Sequence, residues 1–280
     1  MTLTQHVIDD AIRRALAEDL GGGEDVTTAA TIPENKTAKA VMRARTAGIL
    51  CGIDIAAAAF RTVDPSLKIT ARANDGAALA AGQDILSVEG SARSLMIAER
   101  TALNFVTHLS GIATLTGEFV RTVAGTKAAI MCTRKTLPGL RAPEKYAVKC
   151  GGGKNHRFGL YDAVLIKDNH IAVAGGVGAA IEKAITYTAH KMKIEVEVDT
   201  LAQLEEALRY KIDVVLLDNM KPDTLRRAVE MVNGKCLTEA SGGVNLKTVR
   251  AIAEAGVDMI SIGALTHSAP ALDIGLDIDL

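Results

Sequence analysis

The chain contains no tryptophan, and aromatic residues make up only 3% of its 280 positions. That leaves few of the flat platforms on which proteins stack single-stranded bases. It also lacks an excess of either charge. Thirty-two Lys and Arg face 33 Asp and Glu, for a formal net charge of -1, so general nucleic-acid binding by phosphate neutralisation has no basis here. Cysteine is scarce. Cys51, Cys132, Cys150 and Cys236 form no CxxC pair, which leaves a zinc site without sequence support and argues against a disulfide framework. A reducing compartment fits such a set. Long apolar runs are missing too. The longest, around Ile49 to Phe60, is broken by Gly52 and Asp54, short of the roughly 20 apolar residues of a spanning helix. The first residues lack a charged start followed by an apolar core. A cytoplasmic protein is expected.

What is present is patterned. Val7, Ile8, Ala11, Ile12, Ala15 and Leu16 recur at helical spacing, and Gly21 to Gly23 end that helix near Leu20. From 37 to 90, short alternating runs such as Thr37 to Arg45 and Leu67 to Ala73 predict antiparallel strands in a small α+β region. A helix is expected from Ala92 to His108, with Leu95, Ala98, Ala102, Phe105, Val106 and Leu109 as its apolar stripe. Arg100 points nearly opposite that stripe, towards solvent or towards a second chain.

From 128 the pattern changes. Apolar, β-rich runs appear at Ala128 to Cys132, Ala163 to Ile166, Ile194 to Val198, Val214 to Leu217, Cys236 to Thr238 and Met259 to Ile262. Helical stretches such as Leu201 to Arg209 and Leu246 to Ala255 lie between them. Regular alternation of strand and helix argues for a parallel sheet, and six such units for an α/β barrel, possibly incomplete, behind an N-terminal α+β sandwich-like domain. An open doubly wound sheet is the alternative. The expected division is 1–110, 111–267 for the barrel, and 268–280 returning as a strand to the first domain.

Ligands of such folds bind at the carboxyl ends of strands. The first run ends in Thr133-Arg134-Lys135 and the second in Lys167. The third carries Glu195 and Glu197 on one face, and the fourth ends in Asp218. The fifth is followed by Glu239-Ala240-Ser241-Gly242-Gly243, and the sixth runs into Ile262-Gly263-Ala264. Between Arg134 and Lys167 eight Lys or Arg stand against two acids, Glu144 and Asp162, with His156-Arg157 among them. Lys145, Lys149 and Lys154 read as solvated. The rest read as a pocket for an anion richer than one carboxylate, since arginine grips carboxylate and phosphate bidentately. Glu197 and Asp218 can hold Mg²⁺ through waters and substrate oxygens, or accept ribose hydroxyls. The two glycine turns can present backbone N–H groups to a phosphate. The combination suggests phosphoribosyl transfer to an anionic acceptor.

Several stretches also resemble one family. They are Thr133-Arg-Lys-Thr-Leu-Pro-Gly-Leu-Arg141, Glu144-Lys-Tyr-Ala-Val148, Gly151-Gly-Gly-Lys-Asn-His-Arg157, Asp162-Ala-Val-Leu-Ile-Lys-Asp-Asn-His170, Glu195-Val-Glu-Val-Asp199 and Leu217-Asp-Asn-Met220. With Asp25-Val-Thr-Thr28 and Glu99-Arg-Thr-Ala-Leu-Asn104, they resemble the quinolinate phosphoribosyltransferases over nearly the whole chain. The resemblance implies that quinolinate and phosphoribosyl pyrophosphate give nicotinate mononucleotide, carbon dioxide and pyrophosphate, with Mg²⁺. It implies a homodimer in which Arg100 reaches the neighbouring active site. It assigns Arg100, Thr133, Arg134, Lys135, His156, Arg157 and Lys167 to quinolinate, with Lys135 also near pyrophosphate. Glu197 and Asp218 become metal and ribose ligands, and with Lys135 the catalytic set. Ser241 to Gly243 and Ile262 to Ala264 become the 5′-phosphate turns. Glu197 is chosen over Glu195 by motif position alone. The alternatives are a paralogue linked to molybdenum transport and a non-catalytic anion-binding barrel.

Overall fold

A computed structural model describes residues 2–279. In chain order the first elements are α1 (Gln5–Leu20), α2 (Val26–Thr31), β1 (Thr37–Ala44), β2 (Gly48–Ile49), α3 (Ile53–Val63), β3 (Lys68–Ala71), β4 (Ala78–Leu79), β5 (Asp84–Ser91) and α4 (Ala92–Thr122). There follow β6 (Ala129–Met131), α5 (Arg141–Cys150), β7 (Val164–Ile166), α6 (Asp168–Ala174), α7 (Val177–Thr188), β8 (Ile194–Val198), α8 (Leu201–Ala207) and β9 (Val214–Asp218). The last are α9 (Pro222–Val232), β10 (Leu237–Ser241), α10 (Val249–Glu254), β11 (Met259–Ser261), α11 (Ala264–His267) and β12 (Ile274–Asp279). No described helix is long and apolar enough to cross a membrane.

The chain divides into two compact units. The first takes Met1–Gly117, Thr136–Gly152 and Leu265–Leu280, and the second Glu118–Lys135 and Gly153–Ala264. These units differ from the expected division at 110. Segment 136–152, expected in the barrel, groups with the first unit because Gly151 packs directly on α4. A Cβ on Gly151 would stand 2.3 Å from the Ala113 carbonyl oxygen and 2.6 Å from Thr116 Cβ.

In the first unit, β12, β1, β5 and β3 form an antiparallel sheet in that order. Ala40, Met42 and Ala44 alternate along β1 and are fully buried, with Val88 and Leu86 opposite the first two on β5. This is the period of a strand with one buried face. Arg43 ties three strands together, 2.8 Å from Asp84 and 3.0 Å from Asp277, and Arg45 also pairs with Asp277. Helix α4 buries the whole expected stripe from Leu95 to Leu109. It runs on past His108, where the helix was expected to end, through Gly111 to Thr122. Gly111 is there for closeness, since a Cβ would lie 2.1 Å from the Pro270 carbonyl oxygen. Gly111→Ala is therefore expected to destabilise the first unit by about 1–3 kcal/mol, read as a lower melting temperature with little change in helical circular dichroism.

The second unit holds a six-stranded, all-parallel sheet in the order β6-β11-β10-β9-β8-β7. Its two ends, β6 and β7, do not pair with each other among the described residues. A single bridge instead joins Met131 to Lys154, with Lys154 N–H donating to Ile130 O at 2.8 Å. The barrel is thus incomplete, open between its first and second strands. Helices α7, α8, α9 and α10 pack against the strands. The register puts Glu195 and Glu197 of β8, Leu216 and Asp218 of β9, Glu239 and Ser241 of β10, and Ser261 of β11 on one face.

Candidate active site

That shared face builds the site in two levels. The deeper level is acidic and buried. Glu195 is 6% exposed and Glu239 1%. The expectation that Glu239 follows its strand is corrected here, because β10 runs on to Ser241 and turns Glu239 inward. His156 lies between the two acids, its Nε2 2.9 Å from Glu195 Oε2 and 3.7 Å from Glu239 Oε2. Its Nδ1 accepts the Arg157 amide at 2.8 Å. Both ring nitrogens are therefore engaged within the barrel. Glu195 Oε1 and Glu239 Oε1 are buried without a hydrogen-bond partner among the described residues. Burial pushes the Glu239 carboxyl up to about 7, and the Glu195 charge adds to it, while His156 and the Ser261 hydroxyl oppose the rise.

The upper level lies at the strand ends and is sorted by charge. Thr133 Oγ1 accepts the Lys135 amide at 2.9 Å and so shapes the turn after β6 that carries Arg134. Asp162 accepts the amides of Phe158 and Gly159. That turn fixes Arg157, whose Nη1 donates to Ala163 O at 2.9 Å. Its Nε is buried with no partner among the described residues. Burial, and then the charge of Arg134, weaken the hold of Arg157 on its proton, while Glu195 and Asp162 strengthen it. A bound anion would offset both the burial of Arg157 and the charge of Arg134.

Lys167 Nζ lies 2.9 Å from Glu197 Oε2, a pair half-exposed on the lysine side. The two candidate acids of β8 therefore part company. Glu195 turns to His156, and Glu197 turns to Lys167. Burial and then the Asp199 charge raise the Asp218 carboxyl, with Lys167, Asn219 and Lys135 opposing. Lys135, Lys167, Glu197, Asp218 and Asp199 thus share one electrostatic neighbourhood. Asp199 was not singled out from the sequence, although its place just past β8 puts it at a strand end.

Beside Asp218 comes the first glycine turn. Gly242 and Gly243 have φ of +92° and +61°, which favours glycine. A Cβ on Gly242 would lie 2.1 Å from Asn219 Oδ1, so the turn presses its backbone against the end of β9. Ile262 and Gly263 follow β11, where Ala264 opens the short α11. Arg100 belongs to the first unit, where its side chain is exposed with no ion pair among the described residues. Lys149 and Lys154 are exposed as expected. Lys145 is not solvated but fully buried beside the equally buried Glu144 of α5.

Comparison with known proteins points one way. Residues 25–110 match the N-terminal domain of quinolinate phosphoribosyl transferase, and 112–277 its C-terminal domain. The chain is 47% identical to the nicotinate-nucleotide pyrophosphorylase (carboxylating) of Mycobacterium leprae, over 96% of each chain. The nicotinate-nucleotide pyrophosphorylase structure from Ehrlichia chaffeensis superposes with a TM-score of 0.95 at 41% identity, covering 100% of both chains. The structure from Francisella tularensis gives 0.94 at 40%, covering 99% of this chain and 98% of that one.

Proposed function

The chain belongs to the quinolinate phosphoribosyltransferase family, and on that premise we propose how its residues divide the work. The reaction moves the phosphoribosyl group of phosphoribosyl pyrophosphate to quinolinate with decarboxylation, giving nicotinate mononucleotide for NAD biosynthesis. The observation that supports the residue assignment is the ion pair of Lys167 with Glu197 at the ends of β7 and β8, with Asp218 under the charges of Lys167 and Lys135.

Arg134 and Arg157, with Thr133, Lys135 and Lys167, take the two carboxylates of quinolinate. His156 contributes the inner wall, held by Glu195. Gripping both carboxylates aims the ring nitrogen at the anomeric carbon, which lowers the entropic part of the barrier. As pyrophosphate departs, positive charge grows on the ribose. Glu197 and Asp218 stabilise it, and Lys135 offsets charge on the leaving group. The turns Ser241 to Gly243 and Ile262 to Ala264 hold the 5′-phosphate through backbone N–H groups. The quaternised ring then accepts the electrons released with carbon dioxide.

Glu197 and Asp218 fit Mg²⁺. Both offer hard oxygen ligands, and the crowding of Asp199 on Asp218 favours a nearby cation. When bound, Mg²⁺ neutralises the pyrophosphate. The catalytic unit is a homodimer, with Arg100 contributed to the neighbouring site. Its exposed position supports this, as does an apolar patch beside β7 in which Leu160, Tyr161, Val173 and Tyr187 are 71–90% exposed. A cytoplasmic setting suits four cysteines scattered along the chain without a CxxC pair.

Ring-carboxyl-labelled quinolinate, phosphoribosyl pyrophosphate and Mg²⁺ should yield carbon dioxide and nicotinate mononucleotide in equal amounts. No product from folded, dimeric protein would overturn the reading. Chelation of divalent cations should abolish turnover, and added Mg²⁺ should restore it. Full activity in excess chelator would remove Mg²⁺ from the scheme.

A further inference from the structure

Away from these strand ends, the first unit carries a cluster that the reaction does not use. Cys51 follows β2 and Cys150 ends α5, far apart in sequence. Their sulfurs and a carboxylate oxygen of Asp75 lie within 4.8 Å of one another. The backbone explains the meeting. Leu50 exchanges hydrogen bonds with Ala77 and Gly76, at 2.9 and 2.8 Å. The carbonyl oxygen of Cys150 lies 3.7 Å from where a Cβ on Gly76 would stand. Cys51 is fully buried and Cys150 half-buried. Asp75 is already engaged through both oxygens, accepting from Ile53 N–H and Tyr146 O–H at 3.0 Å each. The sulfur pair is what remains to react.

We propose that Cys51 and Cys150 form a reversible disulfide when hydrogen peroxide is present, Cys150 attacking first and Cys51 resolving. The Cys150 thiolate attacks one peroxide oxygen and the O–O bond breaks. Hydroxide leaves and takes up a proton to become water, and Cys150 becomes a sulfenic acid. The Cys51 sulfur then attacks the Cys150 sulfur, and hydroxide leaves with the Cys51 proton as a second water. Two thiols lose two electrons and two protons, and one peroxide is reduced to two waters.

The surroundings assign the order. The S–H of Cys51 hydrogen bonds to Cys150 and lowers its pKa, and Lys149 adds to that, against burial and Asp75. Burial, before any other cause, pushes Cys51 well up. The more exposed sulfur is thus the better thiolate. The product would tie residue 150 covalently to the turn after β2. That residue closes the segment whose chain neighbours are Arg134 and Lys135 on one side and His156 and Arg157 on the other.

The test is a non-reducing peptide map of the whole protein after a few equivalents of hydrogen peroxide, with denaturing alkylation. Thiols should fall from four to two per chain, the Cys51 and Cys150 peptides should appear joined, and dithiothreitol should restore them. In Cys51→Ser, Cys150 should stop at sulfenic acid and be captured by dimedone. In Cys150→Ser, Cys51 should remain unmodified. Four alkylatable thiols after treatment would overturn the proposal. So would a linkage between any other pair, or wild-type Cys150 oxidised to sulfinic acid with Cys51 intact.

Discussion

Arg157→Ala is expected to lower kcat/KM for quinolinate by about 2–4 kcal/mol, a factor of roughly 30 to 900, and Arg134→Ala by a similar amount. The reason is electrostatic. Burial first, and then the charge of Arg134, weaken the hold of Arg157 on its proton. In the proposed pocket a dicarboxylate supplies the opposite charge, and truncation removes both the charge and the paired donors. Arg157→Lys should recover only part of the loss, because a point charge cannot reproduce the bidentate fork. The folded state should hardly suffer, since removing one of two like charges relieves it while forfeiting one hydrogen bond, to Ala163 O. Steady-state kinetics and melting curves of the variants together decide the matter. Losses below about tenfold in both alanine variants would remove the pair from the quinolinate pocket.

Much of this arrangement is legible in the sequence because parallel βα order places every loop after a strand on the same rim. Thr133 to Lys135, Lys167, Glu197 and Asp218 could be read as a ring of strand ends before any coordinates, and β8 runs from Ile194 to Val198 as the pattern predicts. What escaped were features set by contacts distant in sequence. The helix expected to end at His108 continues through Gly111, where the approach of Pro270 leaves room for no Cβ. Lys145 looked solvated because charge is usually outside, yet α5 buries it. Glu195 and Glu197 are identical by alternation. Only the arrival of His156 at one and Lys167 at the other separates them. Cys51 and Cys150 look scattered along the chain and meet only through the Gly76 turn.

Glu239→Gln is expected to change how stability depends on pH, and the sign follows from its burial. Glu195 from β8, His156 from the segment after Gly153 and Ser261 from β11 face this carboxyl. Its pKa stands at about 7 in the folded protein against an ordinary 4.5, so between those values the native state binds the proton that the unfolded state has released. Stability is greatest below the lower value, declines as pH rises through the window, and levels off above about 7. Between pH 5 and pH 8 the wild type should lose on the order of 2–3 kcal/mol through this group. Glutamine is neutral throughout and keeps the shape, so the variant should lack that slope. Urea midpoints should put the two proteins near each other at pH 5 and the variant ahead at pH 8. A variant weaker at pH 8 by as much as at pH 5 would mean that the barrel holds Glu239 as an anion and that His156 supplies the balancing charge. The buried pair would then be an ion triad whose disruption is costly, as expected when one partner of a buried charge is removed. The two outcomes differ in sign at one pH, so a single pair of titrations distinguishes a protonated Glu239 from a buried salt bridge beneath the proposed quinolinate pocket.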